Sequence, residues 1–267
     1  MCRYFLLILI SALFAGKATG QGYEPPKTKM TQALLKDFIR MHMVYPASDL
    51  KAKKEGIVEI SFKVDKEGNV TGAHITKSVS PDIDSSAINL FRLILWEPAR
   101  EYGLPVNSER TFKIKYSIKK YRSWVKKRKY DSIPLPYRPV SSSLKIYSLK
   151  ELDKVPVPIL QGSYSSLQNF IISQLEMPED AVKLHITGTV KLRFVIETNG
   201  LPSNIIVIEP LGGGCTEEAI RVVEMIRWTP GIKNNEAIRS CYDLSFTFRP
   251  PGELRDKNIP NQSNSGL

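Results

Sequence analysis

The 267-residue sequence contains few of the residues that build metal or catalytic centres. Its three histidines, His42, His74 and His185, have no Cys, Asp or Glu at metal-ligand spacing, so structural or surface roles are favoured for them. The glycine triplet 212–214 is not followed by Gly-Lys-Ser/Thr, and Gly-x-Ser-x-Gly is absent, which argues against a phosphate-binding loop and a serine nucleophile. We therefore predict a protein that is not an enzyme and that holds no metal or cofactor.

The sequence also lacks an apolar run of membrane-spanning length, which is roughly 20 residues. The N-terminal run extends only from Tyr4 to Ala15 and is interrupted by Ser11. It is followed by Ala18-Thr19-Gly20, a small-x-small pattern typical of signal-peptide cleavage before Gln21. We predict a cleaved signal peptide over residues 1–20, with an uncleaved inner-membrane anchor as the alternative.

Cysteine is scarce, and Cys2 lies within the segment that we expect to be removed. The mature chain then keeps Cys215 and Cys241, which could form a disulfide in an oxidising compartment. Two separate thiols, one of them buried as a small apolar side chain, are an equally favoured alternative.

Acidic residues are outnumbered, with 27 Asp and Glu against 38 Lys and Arg. Nine of the basic residues lie between Lys113 and Tyr130, where there is no acid. A solvated strand end and linker is the favoured interpretation, and contact with acidic lipid, cell-wall polymer or an acidic protein is the alternative. A secreted chain is not expected to bind nucleic acid. The predicted basic patch consists of Lys119, Lys120, Arg122, Lys126, Lys127, Arg128 and Lys129.

An internal repeat dominates the rest of the chain. Trp96-Glu97-Pro98 recurs as Trp228-Thr229-Pro230, and the same spacing relates Gly56 to Gly188. In each copy a period-two strand follows that glycine, and amphipathic helices and two further strands surround it. The predicted fold class is α+β, with two tandem domains in the order α-β-β-α-β. Each domain is a three-stranded antiparallel sheet packed against two helices.

This pattern divides the chain into segments. We predict a short tether at 21–30, a first domain at 31–120 and a second domain at 161–250. Residues 121–160 are predicted to be a basic linker rich in Pro and Ser, and residues 251–267 a disordered tail.

The last strand of each small sheet is an edge that could accept a further strand. Copy one has Lys113 and Lys115 on the polar face of this strand, whereas copy two has Ser245 and Thr247 there. The edge of copy two is therefore less protected by charge against pairing with another strand. A linker or tail that covers the edge is the alternative. The predicted peptide-binding edge strand contains Tyr242, Leu244, Ser245, Phe246, Thr247 and Phe248.

The order of motifs resembles the TonB C-terminal domain. Copy one shows Tyr45-Pro46, the strand and turn from Gly56 to Val70, Trp96 to Ala99, and the Gly-x-Pro-Val motif from Gly103 to Val106. Copy two shows GGGCTEEAIRVVEMIRWTPG, similar to versions in Bacteroidetes-type envelope proteins. The resemblance implies a periplasmic module whose final strand, around Cys241 to Phe248, pairs with the TonB-box segment of outer-membrane receptors in support of energised transport.

Two features depart from the energy transducers of this family. The apolar run contains no histidine for a motor contact, and no long proline-rich spacer precedes the first helix. Copy two also has Glu197 where copy one has Asp65, and Asn235-Glu236-Ala237 in place of Gly-x-Pro. The alternative function is therefore an envelope scaffold without an energy-transducing role, whose domains dock on each other and whose basic segment contacts cell wall or lipid.

Overall fold

The computed structural model describes residues 22–128, 135, 139–160 and 164–249. The predicted signal peptide and the predicted disordered tail lie outside these residues.

Copy one contains two helices before its sheet, one helix after the first hairpin and a further helix after the last long strand. Its elements are β1 (Tyr23–Glu24), β2 (Lys27–Thr28), α1 (Gln32–His42), α2 (Ala47–Lys51), β3 (Gly56–Val64), β4 (Val70–Lys77), α3 (Pro81–Arg92), β5 (Trp96–Glu97), β6 (Ala99–Glu101), β7 (Leu104–Val106), β8 (Ser108–Tyr116) and α4 (Ile118–Lys127).

Copy two repeats this order as far as its last strand, which joins the counterparts of β7 and β8, and two short strands from the predicted linker precede it. Its elements are β9 (Ile146–Tyr147), β10 (Pro158–Ile159), α5 (Leu167–Gln174), α6 (Glu179–Lys183), β11 (Gly188–Ile196), β12 (Pro202–Glu209), α7 (Cys215–Met225), β13 (Arg227–Trp228), β14 (Gly231–Lys233) and β15 (Glu236–Phe248).

The two central sheets have the same topology and the same register. The strand order is β4-β3-β8 in copy one, and β12-β11-β15 forms the corresponding part of the sheet in copy two. In copy one Gly56 pairs with Tyr116, and in copy two their counterparts in the repeat, Gly188 and Phe248, pair in the same way. The irregularities in pairing with the return strand also fall at equivalent positions. The predicted repeat and α+β fold class are confirmed.

Alternating apolar side chains explain why the sheets form as they do. Alternate residues of β3 and β11 are buried, because one face of each strand packs under the helices. Trp96 and Trp228 are buried core residues that contact Phe62 and Phe194, respectively.

The hairpin turns before each return strand require glycine. Gly68 and Gly200 have φ of +88° and +74°, a region that other residues rarely adopt. A Cβ atom on Gly200 would lie 2.1 Å from the carbonyl oxygen of Trp228, and one on Gly68 would lie 2.6 Å from that of Trp96. The tryptophan that closes each core therefore packs directly against the hairpin turn.

Thr216, near the start of α7, has a side chain of the type that caps helices, but it does not cap this one. The helix begins at Cys215, and Gly214, with φ of +86°, occupies the N-cap position. The Thr216 hydroxyl instead bonds the backbone of Leu211, at 2.9 Å from its nitrogen and 2.8 Å from its oxygen. Three consecutive glycines allow the chain to enter the helix without a side-chain cap.

Segments that the sequence assigned to the tether and linker form secondary structure. Lys27 and Thr28 of the tether pair with Glu97 and Trp96, and β10 makes the equivalent contact with β13 in copy two. The basic residues at the end of copy one form α4, which contacts α1. Along its described length, the predicted linker is therefore not a spacer.

The two copies dock on each other asymmetrically. Helix α1 of copy one packs on β12 of copy two, where residues 202–205 are buried. Asn204 accepts a hydrogen bond from Leu95 N at 3.0 Å and donates one to Leu93 O at 2.9 Å. The His42 ring bonds Pro202 O at 2.8 Å. The corresponding strand of copy one, β4, has no buried residue.

Candidate peptide-binding edge

Strand β15 has one side that is paired along most of its length and one side that is only partly covered. Residues 240–248 pair with β11. Ser240 pairs with both Ile196 of β11 and Tyr147 of β9, so the linker lies on the side away from β11. Within the described residues, no strand pairs with this second side from Cys241 to Phe248. This eight-residue stretch is the candidate edge.

Four of the six predicted edge residues anchor the strand to the core. Phe246 and Phe248 are fully buried, and Leu244 is half-buried. The Tyr242 ring lies 4.7 Å from the Trp228 ring, and burial raises the Tyr242 pKa. These contacts fix the strand to the sheet and keep its backbone in an extended conformation.

The other two predicted residues, Ser245 and Thr247, lie on the exposed outer face. The Thr247 hydroxyl is 3.4 Å from the Thr189 hydroxyl on the neighbouring strand. Neither residue adds charge, so the outer face here is neutral and of low bulk.

Sequence reasoning missed Asp243, which also lies on the outer face. Its two carboxylate oxygens accept hydrogen bonds from Arg193 at 2.8 Å each. These bonds lower the pKa of Asp243 and raise that of Arg193. The two residues lie directly opposite each other on β11 and β15. The sequence could have revealed this pair only once the two strands were aligned in register. The pair compensates the charge of both residues beside the edge.

The equivalent edge in copy one is positively charged. In the described chain, β8 pairs only with β3, so its second side is also without a strand. Lys113 and Lys115 are exposed, and Lys113 forms an ion pair of 3.1 Å with Glu59. Lysine on an edge strand discourages pairing with another chain.

Cys215 and Cys241 are free thiols, so the predicted disulfide is not formed in the structure. Cys215 is buried at the start of α7, and burial raises its pKa. Cys241 alternates with the core-facing Tyr242 and therefore lies on the outer face of β15. The sheet separates the two sulfur atoms.

The predicted basic patch lies mostly on the solvent face of α4, where Lys119, Lys120, Arg122, Lys126 and Lys127 are exposed. Arg128 does not belong to this patch because it is buried. Its guanidinium donates hydrogen bonds to Arg40 O and Met43 O, the latter at 3.1 Å, and so caps the end of α1. Lys129 lies outside the described residues.

In the part of the chain that the structure describes, no group of three or more His, Cys, Asp or Glu side chains could hold a metal ion. Over the same residues, no helix is both long enough and apolar enough to span a bilayer.

Comparison with known proteins gives one match that covers both copies. The family model described as "Gram-negative bacterial TonB protein C-terminal" matches residues 41–118 and 173–250. No curated protein matches the chain.

Two solution NMR structures of the C-terminal domain of Helicobacter pylori TonB are similar to part of the chain. One is 20% identical, covers 34% of this chain and 98% of its own, and has a TM-score of 0.25. The other is 19% identical, covers 33% and 83%, and has a TM-score of 0.24.

Proposed function

Since the chain belongs to the family of Gram-negative bacterial TonB C-terminal domains, we propose that it is a non-enzymatic, periplasmic TonB-like protein. It binds the TonB-box segment of outer-membrane TonB-dependent receptors by β-strand addition, and this binding supports energised transport across the outer membrane. The open edge of β15 at Cys241 to Phe248 is the observation that carries the proposal.

Strand addition needs unpaired backbone groups on a strand that is already extended. The Ala237 amide points toward the linker side of β15, because it donates to Pro139 O at 2.7 Å. Since amides alternate along a strand, the amides of Ser245 and Thr247 point to the same side. Their exposed side chains would not obstruct an incoming backbone.

The experiment is a titration of the isotope-labelled full chain with a synthetic TonB-box peptide, followed by amide NMR. We expect the amides of Leu244 to Phe248 to shift and those of Phe112 to Tyr116 to stay in place. Absence of shifts at Leu244 to Phe248 would contradict the proposal.

A proline substitution tests the role of the backbone directly. Ser245→Pro removes an amide on the open side and leaves the ladder with β11, and proline is tolerated at such edge positions. We expect loss of peptide binding in this variant. Lys113→Pro is the matched control, because Lys113 is the counterpart of Ser245 in the repeat and lies on the edge of copy one. This control should bind the peptide as the wild type does.

A second candidate function is the scaffold, which the exposed cations of α4 favour. These side chains form a basic surface on a helix that is fixed to copy one by buried Arg128. Purified cell wall or anionic vesicles would then retain the protein in a salt-sensitive manner, because exposed charges are screened by salt. If a variant with Lys119, Lys120 and Lys126 changed to Gln is retained equally well, this function is ruled out.

A further inference from the structure

We propose that the linker strand, defined as residues 139–147, is an internal occupant of the β15 edge that sets the upstream limit of the peptide site. This inference rests on the proposed function. It assigns a specificity-determining role to a segment that the family match does not cover.

The linker strand pairs with β15 at Ala237, Arg239 and Ser240. Ala237 donates its amide to Pro139 O at 2.7 Å, and its carbonyl accepts from Ser141 N at 3.0 Å. Further along, Ile146 and Tyr147 pair in parallel with Arg239 and Ser240. A peptide that adds to the same edge cannot pair with these residues while the linker strand is in place.

Arg239 fixes the linker strand to both copies. Its guanidinium is buried and forms hydrogen bonds of 2.8 and 2.7 Å with the buried Glu197 carboxylate. It also donates to Leu144 O in the linker strand at 3.1 Å and to Leu93 O in copy one at 2.9 Å. One side chain of β15 therefore connects the linker, the turn that follows β11 and the neighbouring copy.

The chain turns away from the edge directly after Tyr147. Glu151 accepts hydrogen bonds from Ser148 N and Oγ at 2.8 and 2.9 Å, and these bonds lower its pKa to about 2. Lys145 and Lys233 lie over the Tyr147 ring, with Nζ atoms 4.4 and 5.6 Å from its centroid. The turn ends the covered stretch at Ser240 and leaves the edge open from Cys241 onward.

Copy one lacks the residues that hold the linker strand. The counterpart of Ala237 is Pro105, which has no amide to donate, and the counterpart of Arg239 is Asn107. Asp65, the counterpart of Glu197, instead accepts from Asn69 N at 2.7 Å and Glu67 N at 3.0 Å within its own hairpin. These positions, at which copy two differs from copy one, are therefore the positions that hold the linker strand in place.

The consequence is a site limited to the eight residues 241–248. Peptide residues that extend beyond Cys241 toward Ser240 meet the linker strand and form no backbone hydrogen bonds with β15. Affinity should rise with peptide length only until these eight positions are filled.

The test uses a series of synthetic TonB-box peptides lengthened one residue at a time, together with the full-length Ala237→Pro variant. In the wild type, affinity should reach a plateau. In Ala237→Pro, linker release should allow longer peptides to gain about fivefold for each added backbone hydrogen bond. Ala237→Gly keeps the amide and should retain the plateau, and Pro105→Ala in copy one is the matched control.

Amide hydrogen exchange provides a readout that needs no peptide. The amides of Ser141 and Arg239 should be protected in the wild type and lose protection in Ala237→Pro. Ser141→Pro removes the hydrogen bond from the linker side, leaves β15 unchanged and should give the same result if Ala237→Pro folds poorly.

The outcomes separate the two proposals. Peptides that bind with the same plateau in the wild type and in both proline variants, with Arg239 still protected, would overturn the inference alone. Failure of every peptide to bind the wild type would overturn the proposed function and, with it, the length limit.

Discussion

The two copies share one register of strand pairing but present opposite edges. In copy one the last strand carries exposed Lys113 and Lys115, and no linker strand lies beside it in the described chain. In copy two the equivalent positions hold the uncharged Ser245 and Thr247, and an internal segment covers the first part of the strand. The two copies therefore share one architecture, and differences at a few positions of the last strand and its turn give the two edges different side chains and different neighbours.

The largest expected effect comes from breaking the buried pair that only copy two has. Arg239→Met leaves the buried Glu197 carboxylate without its charged partner, which typically costs about 3–5 kcal/mol. Chemical denaturation would measure the free energy of unfolding. The double variant Glu197→Gln/Arg239→Met should recover part of this loss, and Asp65→Asn, at the solvent-accessible counterpart, should cost much less.

The hairpin glycines test the packing that both copies share. Gly200→Ala places a Cβ atom 2.1 Å from Trp228 O at a positive φ, so the backbone must shift. We expect the free energy of unfolding to fall by about 1–3 kcal/mol. Gly68→Ala should also destabilise the protein, but less, because its closest approach is 2.6 Å. Equal effects would indicate that the two turns pack alike.

The sheets were predictable because their signal lies within each strand. Alternation after Gly56 and Gly188, and the constant spacing between the two copies, identified the strands, the fold class and the equivalence of the two edges. The two-residue strands of the linker are too short to show such periodicity. Their conformation depends on contacts with β13 and β15, which are distant in the sequence.

Other parts of the structure had recognisable sequence patterns, but these patterns were open to more than one structural interpretation. Ile118, Tyr121 and Trp124 recur at helical spacing in α4, but the surrounding lysines suggested a solvated segment. The replacement of proline by Ala237 was visible in the sequence, although its use as a donor to Pro139 O needed the structure. The burial of Arg128 depends on contacts 85 residues or more away and left no local signal.

Exchanging the edge side chains tests the proposal that only copy two binds the peptide. Ser245→Lys/Thr247→Lys gives copy two the charges of copy one and should weaken binding of a neutral TonB-box peptide by about tenfold or less, since the backbone groups remain. Isothermal titration calorimetry would measure the change. The reciprocal variant, Lys113→Ser/Lys115→Thr, should leave this binding unchanged if copy two provides the site.

The smallest expected effect concerns pH at the contact between the copies. Burial lowers the pKa of His42, whose ring also faces Glu197, Arg128 and Arg239. A group with a depressed pKa in the folded state contributes stability above its unfolded value of about 6.5, and this stability is lost as the pH falls. The counterpart in copy two, Gln174, does not titrate.

Unfolding measurements from pH 8 to pH 5 would test this effect. Below about pH 6.5, the unfolding free energy of the wild type should fall relative to that of His42→Gln. Desolvation raises the pKa of Glu224 to about 7, so protonation of Glu224 stabilises the folded state as the pH falls. Both proteins are therefore also compared in a Glu224→Gln background. A constant difference over this range would contradict the assignment.

The central claim is that an extended receptor segment adds to copy two alone, along the open part of β15. Intermolecular NOEs between the backbone of a TonB-box peptide and the labelled full chain test it most directly. We predict backbone NOEs to residues 241–248, with none to residues 237–240 or to β8. NOEs to β8, or binding without backbone NOEs to 241–248, would contradict the claim.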